Sequence, residues 1–246
     1  MTAPLITATD LTMGWGDLNL LEHQSFEVMR GEIFAILGRS GCGKSTLLRY
    51  LTGLDEPKGG RVAIEGLGAP TLEVGRAPYG VMFQSGALFG SMTVGENLAL
   101  PLTEWTDLPR DAVSAIVRAK LRLVGLQGCE HKQPSELSGG MKKRAAIARA
   151  MALEPDLIFL DEPSSGLDPV TAVELDELIL ALNGGLGLTV VLVTHELQSI
   201  FKIAKRCILL DQETKSIIAR GDPRELRDRS DNPEVRHFFN RTTENA

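Results

Sequence analysis

Hydrophobic and polar positions alternate in short blocks over the first sixty-odd residues, at 5–8, 25–28, 33–37 and 61–64, with glycines between them. Such blocks bounded by turn residues predict strands, here a small β-rich layer beside the strand at 33–37. From about 92 to 153 the pattern becomes mostly helical. Ala112, Val113, Ile116, Val117, Lys120, Leu121 and Val124 fall near a 3.6-residue period, so 111–124 predicts an amphipathic helix. Pro109 suits its start and Gly125 its end. Continuous apolar runs return at 157–160 and 189–193. Runs of that kind are strands buried on both faces of a parallel sheet. The helical stretch at 169–182 lies between them, as a crossover must. The expected fold is α/β: a parallel sheet interrupted by a helical insertion.

The bulk properties narrow this picture. At 246 residues the chain can bury one large α/β core. A mean hydropathy near zero fits a globular protein. A net charge of −6 argues against a general nucleic-acid binder. No apolar run approaches the roughly 20 residues that cross a bilayer. No Lys or Arg precedes Arg30, so the basic start of a signal peptide is not expected. Cys42, Cys129 and Cys207 are scattered without metal-ligand spacing, which suits a reducing cytosol.

The most specific chemistry follows the strand at 33–37. Gly38, Arg39, Ser40, Gly41, Cys42, Gly43, Lys44, Ser45 and Thr46 form a glycine-rich turn that opens a helix. Strand, glycine loop and helix are the context of a phosphate-binding loop. The glycines let backbone N–H groups approach phosphate oxygens, and the helix N-terminus favours an anion. Lys44 supplies charge for the β- and γ-phosphates, and the Ser45 hydroxyl suits Mg²⁺. Cys42 reads as a small residue that fits the loop.

A second element ends the apolar run 157–160 with Asp161 and Glu162. Ligands bind at the C-terminal ends of strands in open parallel sheets. Asp161 there can help hold Mg²⁺, and Glu162 can polarise a water. A third, Leu137-Ser138-Gly139-Gly140-Met141, precedes a helix at 142–153. Its glycines expose N–H groups as another anion site. Two such sites on one chain make sense across a dimer.

With these residues in view, the chain resembles the nucleotide-binding subunits of ATP-binding cassette (ABC) transporters, from about Leu5 to Gly221. The resemblance implies a RecA-like P-loop α/β core with an antiparallel β subdomain and a helical subdomain at about 88–153. The whole of 1–246 would be one nucleotide-binding domain, with a short tail at about 222–246. It also implies Trp15 as the adenine-stacking aromatic and Gln84 as the glutamine that reaches Mg²⁺ and the membrane partner. Ser165-Gly166-Leu167-Asp168 looks like the D-loop, and His195 like the histidine at the γ-phosphate. Lys44, Gln84, Glu162 and His195 would be catalytic, with Ser45, Gln84 and Asp161 around Mg²⁺. ATP would bind across residues 38–46, Trp15 and a partner's copies of Ser138, Gly139 and Gly140. Met141 stands where the family usually has Gln, yet the phosphate-facing residues remain.

The segments Val81-Met82-Phe83-Gln84-Ser85-Gly86-Ala87-Leu88-Phe89, Met92-Thr93-Val94, 134–141 and 232–239 are similar to the ATPases of bacterial maintenance-of-lipid-asymmetry systems. These are phospholipid transporters linked to mammalian-cell-entry (MCE) domain proteins. The resemblance implies a homodimer at the cytoplasmic face of the inner membrane. There it would be held by integral permease subunits, with an MCE-domain protein, accessory subunits and no nucleic acid. Another cargo, such as amino acids, is the alternative. A soluble cassette acting on DNA or ribosomes would usually carry a coiled-coil insert, zinc cysteines or two fused cassettes, none of which is present. A catalytically dead cassette is at odds with the intact Lys44, Asp161, Glu162 and His195.

Overall fold

The computed structural model describes residues 3–71, 75 and 77–240. The hairpin β1 (Pro4–Trp15) and β2 (Leu18–Met29) opens the chain. Strand β3 (Ile33–Gly38) then enters a second sheet and leads into helix α1 (Lys44–Leu51). Strand β4 (Gly59–Ile64) returns to pair with β1, completing an antiparallel layer of order β2-β1-β4. β1 and β2 run well past the predicted blocks. A register shift between Ala8 and Leu11 breaks the alternation, as a bulge does. Asp10 and His23 take positive φ values of 52° and 51° in the same region.

The main sheet has six strands. β5 (Tyr79–Met82), β6 (Leu157–Asp161), β7 (Thr189–Val193), β3 and β8 (Arg206–Asp211) lie parallel in that order, with β9 (Ser216–Gly221) antiparallel on the β8 edge. Side chains alternate between its faces. Phe34, Ile36, Phe159, Val191, Val193 and Ile208 join the core beneath the antiparallel layer. Ile33, Ala35, Leu37, Ile158, Leu160 and Val190 join a core on the other face. Burial on both faces is why these strands read as unbroken apolar runs.

Helices α2 (Val94–Trp105), α3 (Arg110–Leu123) and α4 (Gly139–Ala150) follow β5, with a 3₁₀ turn at Pro134–Glu136. They enclose a third core around Leu98, Leu102, Val117, Leu121 and Ala148. Thr93 and Glu96 form a capping box at the start of α2. Asn97, fully buried, donates to the carbonyls of Phe89, Met92 and Thr93 and accepts from the Phe89 amide.

Helix α5 (Pro169–Leu186) is the β6–β7 crossover, capped by Asp168, and runs four residues past the predicted end at 182. Gly187 stops it in the left-handed conformation, φ 66°. Helix α6 (Leu197–Ile203) follows β7. The expected tail forms α7 (Pro223–Arg229) and α8 (Pro233–Asn240). Val235, Phe238 and Phe239 of α8 pack into the second core. The last six residues of the expected tail lie outside the described residues, as do 1–2, 72–74 and 76 of the expected domain. Among the described residues no helix is long and apolar enough to cross a membrane.

Candidate functional site

The C-terminal ends of β3 and β6 open into a cleft of about 1090 Å³. Gly38, Arg39, Ser40, Gly41, Gly43, Lys44, Ser45 and Thr46 line it, as do Trp15, Gln84, Glu162 and His195. The loop's shape depends on missing side chains. A Cβ on Gly38 would lie 2.4 Å from Cys42 Sγ and 2.8 Å from the Leu210 carbonyl oxygen. Gly43, at φ 97°, caps α1 without a side-chain hydrogen bond, so the first amides of the helix face the cleft. Lys44 Nζ donates to the carbonyls of Gly38 and Arg39, both at 3.0 Å. Cys42 is placed differently from its neighbours. Its thiol sits in the first core, and burial pushes its pKa up. Its side chain is packing, as the sequence suggested, and its backbone is what it offers to the loop.

The acidic pair sits at the end of β6. Ser45 donates from Oγ to Asp161 Oδ1 at 3.1 Å. Burial raises the Asp161 pKa, the Ser45 hydrogen bond opposes this, and the Glu162 charge adds to it. Glu162 takes φ 48°, a strained conformation for a residue with a side chain. Its amide donates to the Val193 carbonyl at 2.8 Å, and its Oε1 lies 2.9 Å from His195 Nδ1. Glu162 Oε2 is buried without a hydrogen-bond partner, so the free oxygen awaits a donor such as water. Asp161 and Ser45 are hard oxygen donors of the kind Mg²⁺ takes. Among the described residues no cluster of three His, Cys, Asp or Glu is placed to hold a metal. A cation beside Ser45 would complete its shell from phosphate and water, as Mg²⁺ usually does.

Trp15 is 53% exposed at the tip of the β1–β2 hairpin, with Leu18 and Leu20 beside it on the cleft wall. Tyr50 of α1 ties this tip to the phosphate loop. Its hydroxyl donates to the Gly14 carbonyl at 3.1 Å and accepts from the Gly14 amide at 3.3 Å.

Ser138, Gly139 and Gly140 are not among the cleft residues. Ser138 Oγ caps α4, accepting from the Met141 amide at 3.3 Å, and both Ser138 and Gly139 are exposed. Gly140 meets α5: a Cβ there would lie 2.3 Å from Thr171 Cγ2. Met141 packs against the third core, so the residue that departs from the usual pattern serves the helices. The 165–168 turn ends in Asp168, which accepts from the amides of Val170 and Thr171 to start α5.

Sequence reasoning missed Leu18, Leu20, Glu196, Leu197, Gln212 and Phe238, all of which line the cleft. Glu196 and Leu197 directly follow His195, which was a usable signal. Gln212 and Phe238 arrive from β9's turn and α8, where no local pattern marks them. Lys143 was also missed. It is 8% exposed, and burial lowers its pKa while Glu162 and Asp161 oppose that shift.

The ABC transporter family matches this chain over residues 21–165, more than half of it. A relative in Escherichia coli (strain K12), the intermembrane phospholipid transport system ATP-binding protein MlaF, is 42% identical over 96% of this chain and 89% of that protein. The probable ribonucleotide transport ATP-binding protein mkl of Mycobacterium leprae is 41% identical over 96% of this chain and 68% of that protein. Among solved structures, cbiO1 from Clostridium perfringens, part of the ABC transporter complex cbiONQ, superposes with a TM-score of 0.79. It is 26% identical, covering 96% of this chain and 98% of that one. A dimeric ATP-binding cassette in a post-hydrolysis state bound to ADP and Pi superposes at 0.77, with 28% identity over 88% of this chain and 98% of that one. The chain belongs to the ABC transporter family and is one of its ATP-hydrolysing cassettes.

Proposed function

We propose that this chain hydrolyses ATP to drive phospholipid movement by a membrane complex, working as a homodimer at the cytoplasmic face of the inner membrane. The observation that carries the cargo reading is the 42% identity to a phospholipid-transport ATPase across nearly the whole chain. The mycobacterial relatives, named for ribonucleotide transport at 41% identity, favour a second cargo reading. The cleft serves nucleotide chemistry, so cargo choice lies with the subunits this chain would join. Co-purifying the native complex and identifying its subunits and bound lipids by mass spectrometry tests the choice. Phospholipid together with an MCE-domain protein supports the first reading, and absence of both removes it.

In this reading 1–246 is a single nucleotide-binding domain, with its helical part at about 88–153 and its tail from about 222. Lys44 and the loop amides bind the phosphates, and Trp15 stacks on the base. Ser45, Asp161 and Gln84 would hold Mg²⁺, which neutralises phosphate charge when bound. Glu162 accepts the proton of the attacking water through its buried carboxylate. His195, 2.9 Å from Glu162, orients that carboxylate and reaches toward the terminal phosphate. Ser138, Gly139 and Gly140 of a second copy close over the first copy's phosphate loop, in a head-to-tail pair that satisfies both sites twice.

An apolar groove of about 280 Å³ lies beside the Gln84 segment and would offer a permease its docking surface. Tyr79, Val81, Phe89, Leu100, Pro101 and Leu153 line it. A docked permease there would sense any displacement of Gln84.

A further inference from the structure

One buried cation joins two parts of the site that the chain supplies from distant segments. Lys143 lies on α4, whose first residues are Gly139 and Gly140. Its Nζ donates to the backbone carbonyl of Gln84 at 2.5 Å and to that of Glu162 at 3.1 Å. The Glu162 backbone is therefore held at both ends, by Lys143 at its carbonyl and by Val193 at its amide. A non-glycine residue at positive φ persists only where its surroundings fix it; these two bonds contribute to that constraint, together with the Ser165 amide, which donates to the same Glu162 carbonyl at 3.2 Å. Six residues further along α4, Arg149 donates to the carbonyls of Gly86 and Ala87 at 3.1 and 2.6 Å. The segment after β5 is thus fastened to the same helix twice, about 9 Å apart along its axis.

We propose that Lys143 is a positioning residue for hydrolysis: one ammonium binds the carbonyls of Gln84 and Glu162 and so fixes the spacing of their side chains at the phosphate end of the cleft. The inference rests on the reading of Glu162 as the base. Lys143 is not among the residues that line the cleft, and it acts through the two backbones it joins. A side-chain ammonium can satisfy two carbonyls in one buried spot because it carries three donors. Placing it on α4 makes the spacing depend on the helix that also presents Ser138.

The test is steady-state hydrolysis by the full chain, alongside calorimetric ATP binding and thermal unfolding. Lys143→Met should lower kcat by about 10- to 100-fold, the scale of a small misplacement at a reacting centre. KM and ATP affinity should stay unchanged, because the phosphate loop is built from other residues. Lys143→Arg, which keeps the charge and several donors, should recover most of the lost kcat. Adding Lys143→Met to Glu162→Gln should cost little more, since residues acting as a unit are not additive. If Lys143→Met does not fold, Lys143→Gln carries the same test, because its shorter amide leaves at least one carbonyl unmet. Wild-type kcat in a folded Lys143→Met protein overturns the proposal. So does a loss that appears in KM and is not relieved by Arg. Glu162→Gln alone separates the two levels: wild-type turnover there removes the base reading and this inference with it. A dead Glu162→Gln beside an active Lys143→Met removes this inference alone.

Discussion

Helices α1 and α4 both begin on glycine-rich turns, and their surroundings differ. The start of α1 is enclosed by its own chain: Lys44 is 9% exposed, Ser45 reaches Asp161, and Trp15 stands across the cleft. The start of α4 faces outward, with Ser138 and Gly139 exposed and the acidic pair elsewhere. The same local device is enclosed by its own chain in one place and left open in the other. A helix N-terminus attracts an anion, but the cation, the base and the walls come from what the fold packs around it.

The predictions test how far that asymmetry goes. Glu162→Gln should lower hydrolysis by roughly 10²–10⁴-fold while ATP still binds, as expected for a lost general base. Steady-state rates paired with calorimetry measure both. Ser138→Arg should leave ATP binding by a single chain intact and cut hydrolysis by the complex about 10²-fold, the scale of losing a donor at the reacting group. In the Glu162→Gln background it should also abolish the ATP-dependent dimer that light scattering is expected to detect. A dimer that survives would make α4's start an ordinary helix cap. Lys44→Ala should weaken ATP binding about 10- to 100-fold, the worth of a charge-assisted hydrogen bond, and titration calorimetry reads it directly. Trp15→Ala should lose about 1 kcal/mol of affinity, the lower range for stacking on one base, and equally for ATP and GTP. Met141→Gln should change turnover by less than about twofold, as for an ordinary substitution away from the reacting atoms.

Much of the α1 side was legible in the sequence, because a strand, three glycines and Lys-Ser are contiguous there. The acidic pair was legible for the same reason: β6 ends where its apolar run ends. The antiparallel layer was only partly legible. Its bulges shift the alternation, so β1 beyond Ala8 and the first half of β2 do not read as strands. Contacts across long separations were not legible at all. Tyr50 looks like any apolar-face residue of α1, yet it fixes the Trp15 hairpin. Lys143 looks like the solvated face of a basic helix, yet it is buried between two loops. In both cases the meaning lies in a backbone carbonyl 36 residues or 19 residues away, and a carbonyl has no letter in the sequence.

The third core has a thermodynamic consequence. Leu98, Leu102, Val117 and Leu121 close on one another, while the two faces of the sheet hold separate clusters. The helices α2 and α3 can therefore open without exposing the sheet. Amide exchange should divide accordingly, with α2 and α3 exchanging as one cooperative unit at lower free energy than β3, β6 and β7. Helix α4 spans both clusters, through Ala145 and Ala148 on one side and Ala146 and Ile147 on the other. Its amides should exchange with the slower group at the face toward the sheet. That helix is the seam where a local opening would be felt at the nucleotide.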